Sequence, residues 1–339
     1  MKLHSAVHNM NTTLVTGSTG LVGYHILQAL MRRGYPVRVL VRSLDKARAL
    51  LPEQCELVQG DITDQASVQH AMQGCSVVYH AAGLMEQWLP DVGLFQRVNV
   101  GGTQNAVDAA LAQGVERFIY TSTFDVFAGQ AGQVFDESIL DPQPRGTYYE
   151  RSKQAADQVV VAAMQHGLPA IFLHPAAVYG PGPSSSPGVN ATIAQLQHGR
   201  LPALAPGGFG VVFAPDVGEG HVLAAELAPI GSRYILSEAY YTLTELAQAV
   251  FAELGLDRRP PPTIPVAAAR LLASTGEWMS QYTHRPPLLA KGALVFLLWQ
   301  AIPSSEKAQR ELGWKPTPLK QGIRETIDFL NRQSLDGNQ

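Results

Sequence analysis

The chain has 339 residues, 46% of them hydrophobic and 16% charged, with a formal net charge of −3. That length supports one large domain with a smaller lobe, and the charge balance provides neither a basic footprint for nucleic acid nor an acidic solvating arm. Cys55 and Cys75 are the only cysteines and form no CxxC, which argues against a disulfide scaffold or a zinc site and fits a reducing, cytoplasmic setting.

Residues 1–9 are polar and lack the apolar core of a signal peptide, and Met10 directly precedes the first strand, so they read as a dispensable or misannotated leader. His4 and His8 within them have no companion ligands, and no metal is expected. Strand and helix signals then alternate. Strand-like runs fall at 13–16, 37–41, 56–59, 77–80, 118–121 and 170–174, with helical patterns at 24–33, 67–72, 95–113 and 149–166. The alternation predicts an α/β doubly wound parallel sheet over residues 10–174.

After residue 174 the pattern changes. Residues 180–188 cannot hold a regular element and predict a mobile loop. A short helix is expected at 190–198, a glycine-rich turn at 206–210 and a strand at 233–237. Thr242-Leu243-Thr244-Glu245 matches a capping box and opens a helix to Leu254, ended by the prolines at 260–262 and 265. The apolar run 288–302 is too short to span a bilayer and contains Lys291, so it predicts a buried or pocket-lining helix rather than membrane contact. A final helix at 319–332 closes the fold, with 333–339 frayed. A smaller C-terminal substrate lobe is thus expected from 175–210 and 240–339, with 211–239 returning to the first domain.

The organising stretch is Leu14-Val15-Thr16-Gly17-Ser18-Thr19-Gly20-Leu21-Val22-Gly23. A strand runs into three glycines and then a helix, so backbone can approach a pyrophosphate while the helix N-terminus offers free N–H groups. Gly17, Thr19, Gly20, Leu21 and Val22 are therefore assigned to a dinucleotide; the bland alternative is a glycine turn used for steric fit alone. At the tip of the second strand, Val41-Arg42-Ser43 holds an arginine and no carboxylate, so Arg42 is expected to meet the 2′-phosphate of NADP rather than the ribose hydroxyl of NAD. Tyr149 and Lys153 stand at i and i+4 on one helix face. The ammonium is expected beside the phenol oxygen, lowering its pKa and making it an acid–base group.

The Gly17-x-x-Gly20-x-x-Gly23 spacing and Tyr149-x-x-x-Lys153 resemble the extended short-chain dehydrogenase/reductase family of NAD-dependent epimerases and dehydratases, over nearly the whole chain. The resemblance implies a Rossmann-type sheet with Tyr149, Lys153 and Thr123 as catalytic residues, Ser122 being the second choice for the hydroxyl. Lys153 and Tyr149 would also touch the coenzyme. Asp61 and Ile62 would lie near its adenine, Ala81, Ala82 and Gly83 along the fourth strand's end, and Pro175 and Val178 near its nicotinamide. Asn99 would brace the active-site wall, and His174, standing where the family has arginine, would be structural. A homodimer through the helices carrying Tyr149 and Asn99 is the family's common assembly.

Three features separate the family's reactions. Thr123-Phe124-Asp125 lacks the paired acids of the dehydratases, and residues 208–217 lack the arginine with which epimerases grip a diphosphate. The apolar stretches 266–272 and 288–299 resemble the dihydroflavonol-reductase-like and 3β-hydroxysteroid-dehydrogenase-like branch. The expectation is an NADP-dependent reductase or dehydrogenase, moving hydride to or from a ketone or secondary alcohol. The partner is thus a small-molecule substrate, with no nucleic acid and no membrane. The alternative is a nucleoside-diphosphate-sugar epimerase with retained NAD; a non-catalytic cofactor sensor is disfavoured by the intact Thr123, Tyr149 and Lys153.

Overall fold

Seven parallel strands organise the molecule, which we describe from a computed structural model covering residues 12–143, 146–183 and 188–336. The expected leader at 1–9 and part of the expected 180–188 loop lie outside the described residues.

The first half runs β1 (Thr12–Thr16), α1 (Leu21–Arg32), β2 (Val37–Val41), α2 (Leu44–Leu50), β3 (Glu56–Gln59), α3 (Gln65–Met72) and β4 (Cys75–His80). Then follow α4 (Gly93–Phe95), a π-helical turn (Gln96–Gly101), α5 (Gly102–Gln113), β5 (Arg117–Thr121), the short β6 (Val134–Phe135), α6 (Tyr148–Met164) and β7 (Ala170–Pro175). The sheet order is β10-β7-β5-β4-β1-β2-β3, with the late strand β10 (Arg233–Leu236) as one edge. This is a Rossmann-type doubly wound sheet. Alternation along each strand feeds two cores. Val15, Tyr79, Ile119 and Ile171 point to one face, while their neighbours Leu14, Val78, Phe118 and Phe172 point to the other.

The remaining elements are β8 (Ala177–Tyr179), α7 (Val189–Gln197), β9 (Gly208–Phe213), α8 (Ala214–Leu227), β11 (Ala239–Thr242) and α9 (Leu243–Glu253), then α10 (Val266–Thr283), α11 (Lys291–Trp299), β12 (Ile302–Pro303), α12 (Glu306–Leu312) and α13 (Leu319–Asp336). A three-stranded sheet, β11-β9-β8, carries a separate apolar core that includes Tyr179, Val211, Phe213, Leu246 and Ile323. The Thr242–Glu245 capping box is present.

Four expectations need correction. The stretch expected as one helix over 95–113 contains the π turn, which re-aims Asn99. Residues 208–210, expected as a turn, are strand, because Gly208 lies so close to Tyr241 and Thr242 that β11 can pair with β9; the turn itself is at Gly207, φ +104°. Of the 211–239 stretch, α8 packs on α1 and β10 joins the large sheet, but residues 211–213 belong to the small one. Residues 333–336, expected to fray, continue α13.

Candidate active site

The glycine turn closes on itself before it meets anything else. Gly17 has φ +78°, and a Cβ there would stand 2.7 Å from the backbone of Ala81 and Ala82. A Cβ on Gly23 would stand 2.4 Å from the Gly17 carbonyl, so β1, the end of β4 and α1 approach as closely as hydrogen allows. Gly20 is the N-cap of α1 and supplies no side-chain cap, which leaves the first N–H groups of Leu21, Val22 and Gly23 without an intrahelical acceptor. Thr19 lies in the same turn, while Leu21 is buried and Val22 half-buried. A cradle of close backbone and uncapped N–H groups fits the pyrophosphate of a dinucleotide.

Behind this cradle a hydrogen-bond chain sets a histidine tautomer. The Ala82 N–H donates to Thr16 Oγ1 (3.2 Å), and the Thr16 hydroxyl lies 2.9 Å from His80 Nδ1. On the other side His80 Nε2 lies 3.2 Å from Thr103 Oγ1, which donates to the Asn99 carbonyl at 2.6 Å. Since Thr103 spends its proton on Asn99, the imidazole proton sits on Nε2 and Nδ1 accepts. Burial, with the Lys153 charge adding to it, pushes the His80 pKa down to about 3, so the ring is neutral.

The sites assigned to the adenosine half lie at the ends of β2 and β3. Arg42 is exposed at the tip of β2. Asp61 accepts from the Thr63 N–H and hydroxyl, each at 2.8 Å. Burial alone would raise its pKa, but those bonds and the Arg42 charge hold it below the ordinary value. Ile62 is buried beneath, its carbonyl accepting from Asn105. Ala81 and Ala82 are half-buried, whereas Gly83 is exposed with the Asn99 side chain beside it. Pro175 is buried at the end of β7, and Val178 is half-buried on β8.

Thr147 caps α6 by accepting from the Glu150 N–H at 3.0 Å, and the helix presents Tyr149 and Lys153 one turn apart. Their partners differ from expectation. Lys153 Nζ donates to the Thr121 carbonyl at 2.8 Å and to the Tyr120 hydroxyl at 3.4 Å. Burial lowers its pKa to about 8 against the opposing Asp157 charge. Tyr149 hydrogen-bonds Thr123, yet burial and then the Asp125 carboxylate push its phenol well above the usual range, with Glu150 and Glu86 adding to the rise. The expected lowering of the phenol by Lys153 is therefore corrected: the cation donates to the end of β5, and burial with the charge of nearby carboxylates raises the phenol instead.

Thr123 is buried, caps the short 3₁₀ turn Phe124–Val126, and donates to Asp125 Oδ2 at 3.0 Å. The Ser122 hydroxyl instead donates to Asp157 Oδ1 at 3.0 Å. Asp157, one turn after Lys153, is gripped by Arg233 of β10 through bonds of 3.0 and 2.7 Å. Arg233 Nη1 also lies 3.2 Å from His174 Nε2, and His174 Nδ1 lies 3.0 Å from the Thr123 carbonyl. Arginine can only donate, so Nε2 accepts and the Nδ1 proton goes to Thr123. Burial pushes His174 down to about 3. Where the family has an arginine on β7, this chain thus has a neutral histidine fed by an arginine on the next strand.

Asn99 braces the wall: its Oδ1 accepts from the Leu84 N–H at 2.7 Å while its Nδ2 donates to the Leu84 carbonyl and to Ser152 Oγ. Directly after Thr123 in the chain, an aromatic wall forms around the buried Phe124, whose ring centroid lies 5.7 Å from Phe296 and 5.6 Å from Trp299. Phe135 stands 5.1 Å from Trp299, and Phe209 stands 5.6 Å from Phe296. Sequence reasoning missed this wall, Arg233, Asp157 and Glu86. Only Asp157 carried a legible signal, its position four residues after Lys153 on the same helix face.

Residues 13–235 match the NAD dependent epimerase/dehydratase family. The sterol demethylase protein B of Methylococcus capsulatus is 29% identical, covering 96% of this chain and 99% of that protein. A 4-hydroxy-2-methyl-3-oxo-4-farnesyl-3,4-dihydroquinoline-1-oxide ketoreductase of Stigmatella aurantiaca is 30% identical, covering 89% of this chain and 91% of that one. Among solved structures, the UDP-glucose 4-epimerase of Thermus thermophilus in complex with NAD superposes with a TM-score of 0.75 at 25% identity, over 94% of this chain and 99% of that one. This protein belongs to the NAD-dependent epimerase/dehydratase family, in its extended short-chain dehydrogenase/reductase branch.

Proposed function

We propose that the protein is an NADP-dependent reductase or dehydrogenase of a moderately apolar ketone or secondary alcohol. The aromatic wall of Phe124, Phe135, Phe296 and Trp299, which starts at the residue after Thr123, carries this reading: it packs the second lobe against the end of β5 with π surface, and residues 208–217 offer no cation for a diphosphate. The names of the two relatives above, a sterol demethylase protein and a ketoreductase, support it.

Gly17, Thr19, Gly20, Leu21 and Val22 would hold the pyrophosphate, Arg42 the 2′-phosphate, and Asp61 and Ile62 the adenine side. Ala81, Ala82 and Gly83 would flank the coenzyme, with Pro175 and Val178 at its nicotinamide end. When bound, the nicotinamide supplies or accepts the hydride. Tyr149, whose phenol is held protonated, delivers the proton to the carbonyl oxygen in the reductive direction. Thr123 orients that oxygen, and Lys153 holds the nicotinamide ribose. The competing reading, a sugar-nucleotide epimerase with retained NAD, draws on the whole-chain likeness to the Thermus enzyme.

Coenzyme exchange distinguishes them. Protein purified without added nucleotide should release none on denaturation and should bind NADPH reversibly and more tightly than NADH. Arg42→Ala should weaken NADPH by about tenfold and leave NADH unchanged. Tyr149→Phe should lower ketone turnover by about 10²–10⁴-fold with NADPH affinity retained. Stoichiometric release of NAD⁺ would instead establish the epimerase cycle and remove the role given to Arg42.

A further inference from the structure

Helix α10 is built inside out. Its inward residues are small: Ala269, Ala273 and Ser280 are buried, the two alanines against Leu294 of α11. Its outward residues are large and apolar. Leu271 is 67% exposed, Trp278 60% and Tyr282 71%, and at this spacing they form one stripe with Thr275 along the helix. Leu272 and Met279 widen the stripe, and Leu288, just beyond the helix, is 85% exposed. Stretches 266–272 and 288–299 suggest an apolar substrate lobe from the sequence, yet Leu271, Leu272 and Leu288 within them are exposed.

Charge says what such a stripe meets. Between Asp257 and Glu306 the chain holds Arg258, Arg259, Arg270, Arg285 and Lys291 against the single acid Glu277, in a protein whose net charge is −3. Glu277 already pairs with Lys291 at 3.6 Å, whereas Arg270, in the second turn of α10, and Arg285, two residues past its end, are exposed and form no ion pair with another described residue. Trp278 and Tyr282, with ring centroids 5.3 Å apart, place two amphipathic rings side by side on the outward face. Apolar stripe, side-by-side aromatic rings and flanking arginines are together the composition of a helix that lies in a headgroup region. A twofold contact between copies would instead set this cationic segment against itself.

We propose that α10 docks the protein onto an anionic lipid surface, lying in the plane of the interface with Leu271, Trp278 and Tyr282 immersed and Arg270 and Arg285 at the headgroups. No helix among the described residues is long and apolar enough to cross a membrane, and none is needed for this mode. The sequence expectation of no membrane contact weighed the 288–302 run as a span; α10 binds by its face instead.

The test is sedimentation of the full-length protein with vesicles of phosphatidylcholine alone and of phosphatidylcholine with phosphatidylglycerol. Binding should favour the anionic vesicles, weaken with salt, and be accompanied by a blue shift in tryptophan fluorescence that Trp278→Phe removes. The triple variant Leu271→Ser, Trp278→Ser, Tyr282→Ser should lose binding by about tenfold or more. Arg270→Gln with Arg285→Gln, which leaves the apolar face intact, should abolish the preference for anionic lipid. Absence of binding to anionic vesicles, or undiminished binding by both variants, overturns the proposal. A concentration-dependent dimer that the triple variant dissociates, with no vesicle binding, overturns it in favour of a second copy.

Discussion

Tyr149 and Lys153 share a helix face and yet answer to different neighbours. Lys153 is drawn to the Thr121 carbonyl, while the Tyr149 phenol faces Thr123 and carboxylates. What anchors the end of β5 is a second cation. Arg233 and Asp157 are largely buried and pair at 2.7 Å, so removing either partner alone strands a charge away from water. Asp157→Leu or Arg233→Met should each destabilise the protein by about 3–5 kcal/mol in urea unfolding, and the double variant by clearly less than the sum of the two. Strict additivity would show that the pair is not coupled.

At the scale of elements, the nucleotide cradle depends on how closely a helix can start behind a strand. Gly23 sits in the first turn of α1 with the Gly17 carbonyl where its Cβ would be. Gly23→Ala must lift the helix off the turn. We expect it to cost about 1–3 kcal/mol of stability and to weaken NADPH binding, whereas Gly34→Ala, at a loop glycine with nothing within 4 Å, should leave nucleotide affinity unchanged. The π turn is a comparable device: by adding one residue to the helix it brings Asn99 round to hold Leu84 and Ser152 together.

Across the whole molecule, buried imidazoles set the acid limit. Burial, the first cause for each, holds His25 and His221 at about 4 and His80 and His174 at about 3. In the unfolded chain each titrates near ~6.5. Between these values the unfolded state binds more protons, so stability is full above about pH 6.5 and falls as pH drops toward 4. The carboxyls Glu137, Asp216 and Glu238, raised by burial, oppose the trend, but they are fewer. Melting temperature should therefore fall steeply below pH 6, and replacing His221 with Gln should flatten that slope. An unchanged slope in several such variants would place the acid lability elsewhere.

The layered sheet, the boundaries of its seven parallel strands to within two residues, and the family were legible in the sequence. These rest on local information: the period of apolar residues, the three glycines and one helix face. The Thr242–Glu245 cap belongs with them, since both partners lie within four residues. What meets the chemistry depends instead on contacts between segments far apart in the chain. Arg233 reaches Asp157 across 76 residues of chain, and Trp299 comes round to Phe124 from the far end of the second lobe. Tertiary packing also decided which way an apolar segment faces. Val266–Thr283 contains bulky apolar residues on one face and alanines on the other, and the tight approach of α10 to α11 selected the alanines for the inside. Composition records how much apolar surface a segment carries; packing distance decides which part of it is left for the outside.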